Sequence, residues 1–309
     1  MGKTAFIYPG QGAQKSGMGK DFYDTFPVAK AIFDKADEIL DVSVTELCFT
    51  EDERLNQTAY TQPALVTTCL AITAVLEEKG IRPDVTAGLS LGEYAAIATA
   101  GGFSAEEAIR TVRARGGFME EAVPDGKGAM AAVLGMEVSQ IEKVLSKIEG
   151  AYIANYNCPG QIVITGMKEA VDKACEALKE AGCKRCLPLK VSGPFHSPFL
   201  KEAGEKLGEF MEETELHALE IPYVTNVTAE YVRDIDETKD LLVRQVASSV
   251  KWIQSVEKMI AEGVDTFVEI GPGKTLAGFI KKINPDVKVI NISQVEDLNI
   301  WMEDYDVAG

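Results

Sequence analysis

Val85-Thr86-Ala87-Gly88-Leu89-Ser90-Leu91-Gly92-Glu93-Tyr94 is the stretch on which the reading of this chain turns. Pro83 and Asp84 make a turn ahead of it. Tyr94 to Ala100 behind it is alanine-rich and is closed by Gly101-Gly102. The pattern is a short strand, Gly-x-Ser-x-Gly, then a helix, which is the setting a nucleophile elbow requires. The reason is steric. A serine on a sharp strand-to-helix turn is crowded by the residues two before and two after it, and Gly88 and Gly92 remove those side chains. The hydroxyl then stands at a helix N-terminus, where backbone N–H groups and the helix dipole favour negative charge. A glycine-flanked serine can equally be a helix N-cap, so the rest of the chain has to supply a base, an oxyanion site and a substrate anchor.

With 309 residues the chain can bury a large core, as one large domain or a large domain carrying a smaller one. Its hydrophobic and charged fractions, 46% and 26%, are those of a soluble globular protein. A net charge of −17 argues against a general nucleic-acid binder, which needs a basic face, and leaves room for a small basic patch toward an acidic partner. Six cysteines are scattered along the chain, unlike a disulfide scaffold. Cys183-Lys184-Arg185-Cys186 has redox or half-zinc spacing, but no second pair completes a metal site, and in a strand the two sulfurs would face opposite ways. No metal and no cofactor are expected. The N-terminus lacks signal-peptide character, and Phe6 breaks the myristoylation pattern. No apolar run reads as long enough to span a bilayer. A cytoplasmic monomer with no membrane attachment is the expectation.

Thr4 to Tyr8 reads as a strand entering the loop Pro9-Gly10-Gln11-Gly12-Ala13-Gln14, whose spacing matches neither a P-loop nor a dinucleotide fingerprint. Phe22 to Leu40 has helical periodicity. A second helix is expected from Thr61 as N-cap, with Pro63 in its first turn, to about Lys79, and a third from Ser104 as cap to about Ala122. Then the pattern changes. From Pro124 to Leu189 the order is strand, helix, strand, strand, helix, strand, that of a ferredoxin-like module. Pro124-Asp125-Gly126-Lys127-Gly128 and Ser192-Gly193-Pro194 are its hinges. Alternating strands and helices return after Pro198, and the acidic stretch Glu296 to Asp306 reads as a solvated end. The expected fold is α/β: an α/β-hydrolase-like large domain with a mostly parallel sheet, residues 1–123 and 195–309, and an inserted ferredoxin-like subdomain, residues 124–194.

A serine of ordinary acidity needs a base, and the chain has two histidines. His217 sits in a charged stretch that reads as surface. His196 sits in Ser192-Gly193-Pro194-Phe195-His196-Ser197-Pro198, at the junction of the two domains, where sites often form. His196 is the candidate base. Arg115 is followed by Gly116-Gly117, unusual inside a helix and suggestive of a close approach. Its guanidinium could hold a substrate carboxylate by two hydrogen bonds.

These residues resemble the bacterial malonyl-CoA:acyl-carrier-protein transacylases of type II fatty-acid synthesis and, more distantly, the acyltransferase domains of polyketide synthases. The marks, spread over nearly the whole chain, are Tyr-Pro-Gly-Gln-Gly-Ala-Gln at 8–14, Thr-Gln-Pro-Ala at 61–64, Gly-Leu-Ser-Leu-Gly-Glu-Tyr at 88–94 and Arg-Gly-Gly-Phe-Met at 115–119. They continue with Asn-Cys-Pro-Gly-Gln at 157–161, Gly-Pro-Phe-His-Ser at 193–197, Arg-Gln at 244–245 and Glu-Ile-Gly-Pro-Gly-Lys-Thr-Leu at 269–276. The resemblance implies malonyl-CoA and acyl carrier protein as partners, Ser90 as the malonyl-carrying nucleophile and His196 as its base and acid. It also implies Gln245 as the group orienting the histidine, Arg115 as the partner of the malonyl carboxylate, and the Gln11 and Leu91 N–H groups as the oxyanion hole. Phe195 matches the malonyl-selecting form of its loop. Leu89 stands where the family usually has a histidine, and Tyr8 where it often has a phenylalanine.

Two other readings remain at this point. A serine hydrolase would use the same elbow and base, with one of many Asp or Glu residues completing a triad. A carrier-protein-binding module would have lost catalysis. Because carrier proteins are acidic, docking would need local positive charge, for which Lys184, Arg185 and Lys190 are candidates.

Overall fold

The computed structural model describes residues 2–124, 126–191 and 193–308, with side chains up to Glu303. The hinge residues Asp125 and Ser192 lie outside the described residues. Among the described residues ten strands form two sheets: β1 Lys3–Tyr8, β2 Val85–Gly88, β3 Gly128–Leu134, β4 Ala151–Cys158, β5 Gln161–Met167, β6 Arg185–Pro188, β7 Tyr223–Val224, β8 Tyr231–Val232, β9 Val264–Ile270 and β10 Lys288–Ile292. The larger sheet has the order β10-β9-β1-β2-β7-β8, parallel except for the antiparallel pair β7 and β8. The fold is therefore α/β with a mixed sheet. Along β1, Phe6 and Tyr8 enter one hydrophobic cluster while Ala5 and Ile7 enter another. That two-residue alternation is what a sheet covered on both faces produces.

The smaller sheet has the order β4-β5-β3-β6, all antiparallel. Ala131, Val133, Ile162 and Ile164 face the helices Val138–Leu145 and Lys168–Glu180. Met130, Ala132 and Val163 point the other way and wall the cavity described below. Cys186, on β6, faces the Lys168–Glu180 helix and is disulfide-bonded there to Cys175, while Cys183 stays free and buried. The chain thus carries one disulfide that the scattered spacing did not suggest. It joins Cys186 to a helix residue 11 positions away, not to the Cys183 of its own motif.

Three helices differ from expectation, each for a local reason. The Phe22 to Leu40 periodicity is split into Lys20–Thr25 and Pro27–Ile39, because Phe26, ahead of a proline, is extended with φ −119° and ψ 119°. The helix expected from Thr61 starts three residues earlier and spans Thr58–Glu78, with Pro63 inside it. Pro63 cannot donate to the Ala59 carbonyl. Arg113 Nη1 donates to that carbonyl instead, at 3.0 Å. This helix is long and apolar enough to cross a membrane, contrary to the sequence expectation, yet 89% of its apolar window is buried inside the fold. The acidic C-terminal stretch is a helix, Val295–Ala308, that buries Leu298 and Trp301.

Candidate active site

The elbow forms as its steric logic requires. A Cβ on Gly88 would lie 1.9 Å from the Gly92 carbonyl carbon, and one on Gly92 would lie 2.2 Å from the Tyr8 carbonyl oxygen. Ser90 itself holds φ 53°, a left-handed conformation that an L-residue adopts only when its surroundings enforce it. Asn226 supplies that enforcement from the β7–β8 connection. Its Oδ1 accepts from the Ser90 N–H at 2.6 Å, and its Nδ2 donates to the Gly88 carbonyl at 2.7 Å. The parallel register pairs Tyr8 with Gly88, so the loop after β1 runs beside the elbow at the carboxyl ends of both strands. Chain order reverses about β1 there, the usual place for a ligand crevice in an open α/β sheet.

Ser90 Oγ lies 2.7 Å from His196 Nε2. The other ring nitrogen, Nδ1, faces two main-chain carbonyls, Gln245 at 3.0 Å and Ser248 at 3.1 Å. A carbonyl can only accept, so Nδ1 carries the proton and Nε2 is left to accept from the serine hydroxyl. No acidic third member is needed to set this tautomer. His196 is buried with φ 58°. Burial, reinforced by the nearby Arg115 charge, pushes its pKa down to about 4. Because the shift is downward, the imidazole stays a neutral base until the pH falls through that value. With two histidines in the chain, NMR can follow the one resonance missing from His196→Ala. That resonance is expected to keep the neutral Nδ1–H pattern at about pH 5.5, a unit below the ordinary histidine value of about 6.5. A titration midpoint near the ordinary value would contradict the assignment.

Arg115 is buried, and every acceptor it meets is neutral. Nη1 donates to Gln62 Oε1 at 3.0 Å, and Nη2 donates to Gln245 Oε1 at 3.0 Å and to Ser90 Oγ at 3.3 Å. Its guanidinium lies 5.3 Å from the Tyr94 ring centroid. Among the described residues no carboxylate forms an ion pair with it. Burial works against its charge, and the nearby Tyr94 and Glu93 work for it. An unpaired buried guanidinium next to a reactive hydroxyl is a receptor for an anionic group. Of its two following glycines, Gly116 does mark a close approach, since a Cβ there would lie 2.8 Å from Ala59 Cα; Gly117 has open space.

Among the described residues the Gln245 side chain makes no hydrogen bond to the imidazole; its main-chain carbonyl does. Its Nε2 donates to the Ser90 carbonyl at 3.0 Å and to Glu93 Oε2 at 2.6 Å. Glu93 is fully buried. Burial pushes it up to about 7, against opposing hydrogen bonds from Gln245, Thr225 and the Asn226 N–H. Gln11 lies on the loop after β1, and its side chain donates to Thr58 Oγ1 at 3.0 Å. Its backbone N–H and that of Leu91 have no acceptor among the described residues, and both residues line the cavity over Ser90.

That cavity measures about 260 Å³. Ser90, Gln11, Leu91, Arg115 and His196 share its wall with Met130, Asn157 and Val163 of the smaller sheet, and with Phe195 and Leu89. Leu89 therefore puts an apolar surface where a polar one was expected. Tyr8 is absent from the cavity wall. Its hydroxyl is satisfied in the core by Thr73 at 3.0 Å and Thr99 at 2.7 Å. Lys184, Arg185 and Lys190 are exposed on and beside β6. Glu107, Glu215 and His217 bring three ligand-type atoms within 4.8 Å at the surface, but Glu107 is already engaged by the Ser104 capping box.

Sequence reasoning missed Asn226, Glu93, Gln62 and the Ser248 carbonyl. Glu93 and Gln62 stood inside quoted motifs without a role, and Asn226 carried no local signal.

The acyl transferase domain model matches residues 5–295. The malonyl CoA-acyl carrier protein transacylase of Bacillus subtilis (strain 168) is 48% identical over 308 residues, covering 98% of this chain and 97% of that protein. The solved malonyl CoA-acyl carrier protein transacylase of Clostridium perfringens superposes with a TM-score of 0.95 at 42% identity, covering 99% of this chain and 98% of that one. A malonyl-transacylase solved in complex with a type II PKS acyl-carrier protein superposes with a TM-score of 0.95 at 38% identity, covering 98% and 99%. By full-length similarity to these proteins the chain belongs to the acyl transferase domain family, among the malonyl CoA-acyl carrier protein transacylases.

Proposed function

We propose that this chain transfers a malonyl group from malonyl-CoA to the phosphopantetheine thiol of an acyl carrier protein, through an ester on Ser90. One observation carries the reading: a serine already bonded to a neutral histidine lies 3.3 Å from a buried guanidinium that has no carboxylate partner among the described residues. The relatives' names and the carrier protein bound to one structural neighbour point the same way.

In the first half-reaction Ser90 Oγ attacks the thioester carbonyl as its proton passes to His196 Nε2. The oxyanion is taken by the Gln11 and Leu91 N–H groups, each such donor being worth about 3–4 kcal/mol in comparable sites. The tetrahedral intermediate collapses, and the CoA thiolate leaves with the proton from Nε2. In the second half-reaction the carrier thiol gives its proton to Nε2 and attacks the Ser90 ester. Ser90 Oγ regains the proton as the new thioester departs. Arg115 holds the malonyl carboxylate throughout. The Gln245 and Ser248 carbonyls keep the imidazole in the required tautomer, and the Gln245 side chain holds Arg115.

We read residues 1–123 and 195–309 as an α/β-hydrolase-like domain and 124–194 as a ferredoxin-like insertion that closes the cavity over the serine. The strand order β6-β3-β5-β4, with the two helices on one face, supports this. So does the close passage of its two ends, where a Cβ on Gly128 would lie 2.2 Å from Pro194 Cδ.

Incubation with malonyl-CoA, with and without holo acyl carrier protein, tests the function. Malonyl is expected to pass to the carrier thiol at least about 100-fold faster than free malonate appears, a gap of about 3 kcal/mol between the two barriers. Malonate released equally fast in both mixtures would make the chain a hydrolase.

A further inference from the structure

Glu93 lies three residues after Ser90, in the first turn of the Gly92–Thr99 helix. It is fully buried and is not among the residues that wall the cavity. It lies behind the cavity wall, yet two of the three residues bonded to it, Asn226 and Gln245, reach reacting groups. Asn226, whose N–H donates to Glu93 Oε2 at 3.2 Å, holds the backbone of Ser90 and Gly88. Gln245, whose Nε2 donates to the same oxygen at 2.6 Å, holds Arg115 through its own Oε1.

A side-chain amide has one accepting end and one donating end. At Gln245 the accepting end must face Arg115, because a guanidinium only donates. The donating end then faces Glu93 and the Ser90 carbonyl, both acceptors. A flipped amide would set donor against donor at Arg115 and acceptor against acceptor at Glu93, in a buried place where neither conflict is relieved by water. A carboxylate directly against Arg115 would also fix the guanidinium, but it would neutralise the charge and fill the fork. Glu93 stands one amide further back and does neither.

We propose that Glu93 is a positioning residue: together with the Ser90 carbonyl it fixes the polarity of the Gln245 amide, and through it holds the Arg115 guanidinium in place while leaving its charge open to the carboxylate of the incoming acyl group. This rests on Arg115 receiving that carboxylate, as proposed above.

Two conservative variants of the full chain separate reach from charge. Glu93→Gln keeps an accepting oxygen at the same reach and cannot ionise. Glu93→Asp keeps the ionisable carboxyl but falls one methylene short. The readout is kcat/KM for transfer from malonyl-CoA and from acetyl-CoA to holo acyl carrier protein, with Tm alongside. Glu93→Asp is expected to lose the malonyl-over-acetyl preference by about 10-fold or more, mainly through a raised KM for malonyl-CoA, whereas Glu93→Gln keeps it within about 3-fold. Glu93→Met, with no accepting oxygen, carries the expectation of Glu93→Asp and replaces it if that variant does not fold. The reverse order, with the Gln variant impaired and the Asp variant intact, overturns the proposal, because charge and not amide polarity would then be the active property. Equal losses on both acyl groups with a lowered Tm overturn it as a structural role only, and an unchanged preference in both variants overturns it outright. Arg115→Ala is the control: if it too keeps the preference, the reading of Arg115 fails, and if it alone loses the preference, only the role of Glu93 fails.

Discussion

Ser90→Ala is expected to leave no acyl adduct and to reduce transfer by about 10⁴-fold or more, and His196→Ala to reduce transfer by a similar factor. The double variant is expected to be no worse than either single one. The geometry dictates this. Among the described residues, the 2.7 Å contact between Ser90 Oγ and His196 Nε2 is the one place where a base meets the hydroxyl, so each residue loses most of its effect without the other, and their losses do not add. What survives is binding by Arg115 and polarisation by the Gln11 and Leu91 N–H groups, none of which these variants removes. The two singles differ in one respect. His196→Ala keeps the hydroxyl, and Arg115 Nη2 at 3.3 Å still favours the alkoxide, so a slow adduct on Ser90 should accumulate with malonyl-CoA. Intact-mass analysis after mixing with malonyl-CoA, beside transfer rates to holo acyl carrier protein, checks both statements. An adduct on Ser90→Ala, or transfer above about 1% of the parent rate, would place the nucleophile elsewhere.

The parts of this site that could be read from the sequence are those whose cause is local. Gly88 and Gly92 are required by atoms within a few residues of the elbow or on the adjacent strand, and their spacing announces it. His196 was reachable because only one other histidine competes with it. Ser104 and Glu107 form the capping box that their spacing implies. What was not legible acts across the chain. Asn226 holds Ser90 from 136 residues away, and Glu93 meets Gln245 across 152. Nothing in Thr225-Asn226-Val227 marks it as the buttress of a turn on a neighbouring strand. The Thr58–Glu78 helix shows the same limit in the fold: a proline inside a helix is compensated by an arginine 50 residues on, Arg113, whose bond to the Ala59 carbonyl exists only after folding. The break at Phe26 is different in kind, since Pro27 carried the signal and helical periodicity on both sides masked it. The sheet order and the burial of Leu298 and Trp301 are likewise products of packing, not of local pattern.

Arg115→Ala is expected to lower kcat/KM for malonyl-CoA by about 100-fold or more while changing that for acetyl-CoA by less than about 10-fold, so that the preference collapses. The size follows from the environment. Among the described residues the guanidinium of the free protein is buried, and its hydrogen bonds go to neutral oxygens of Gln62, Gln245 and Ser90. A carboxylate arriving in the cavity meets a charge that neither water nor a protein acid has cancelled. The contact persists from ground state to transition state, so most of the loss should fall in KM. Arg115→Lys should recover only part of it, because an ammonium is a single point of charge where the guanidinium offers a planar fork. A second consequence separates loss of the anchor from general damage. The Arg115 charge is one of the two causes that hold the His196 pKa down, after burial. Removing it should let the imidazole titrate at higher pH, so the acid limb of acetyl transfer should move upward in Arg115→Ala relative to the parent. A retained malonyl preference together with an unmoved acid limb would mean that the carboxylate is bound elsewhere in the cavity and that Arg115 serves only to brace Gln62 and Gln245.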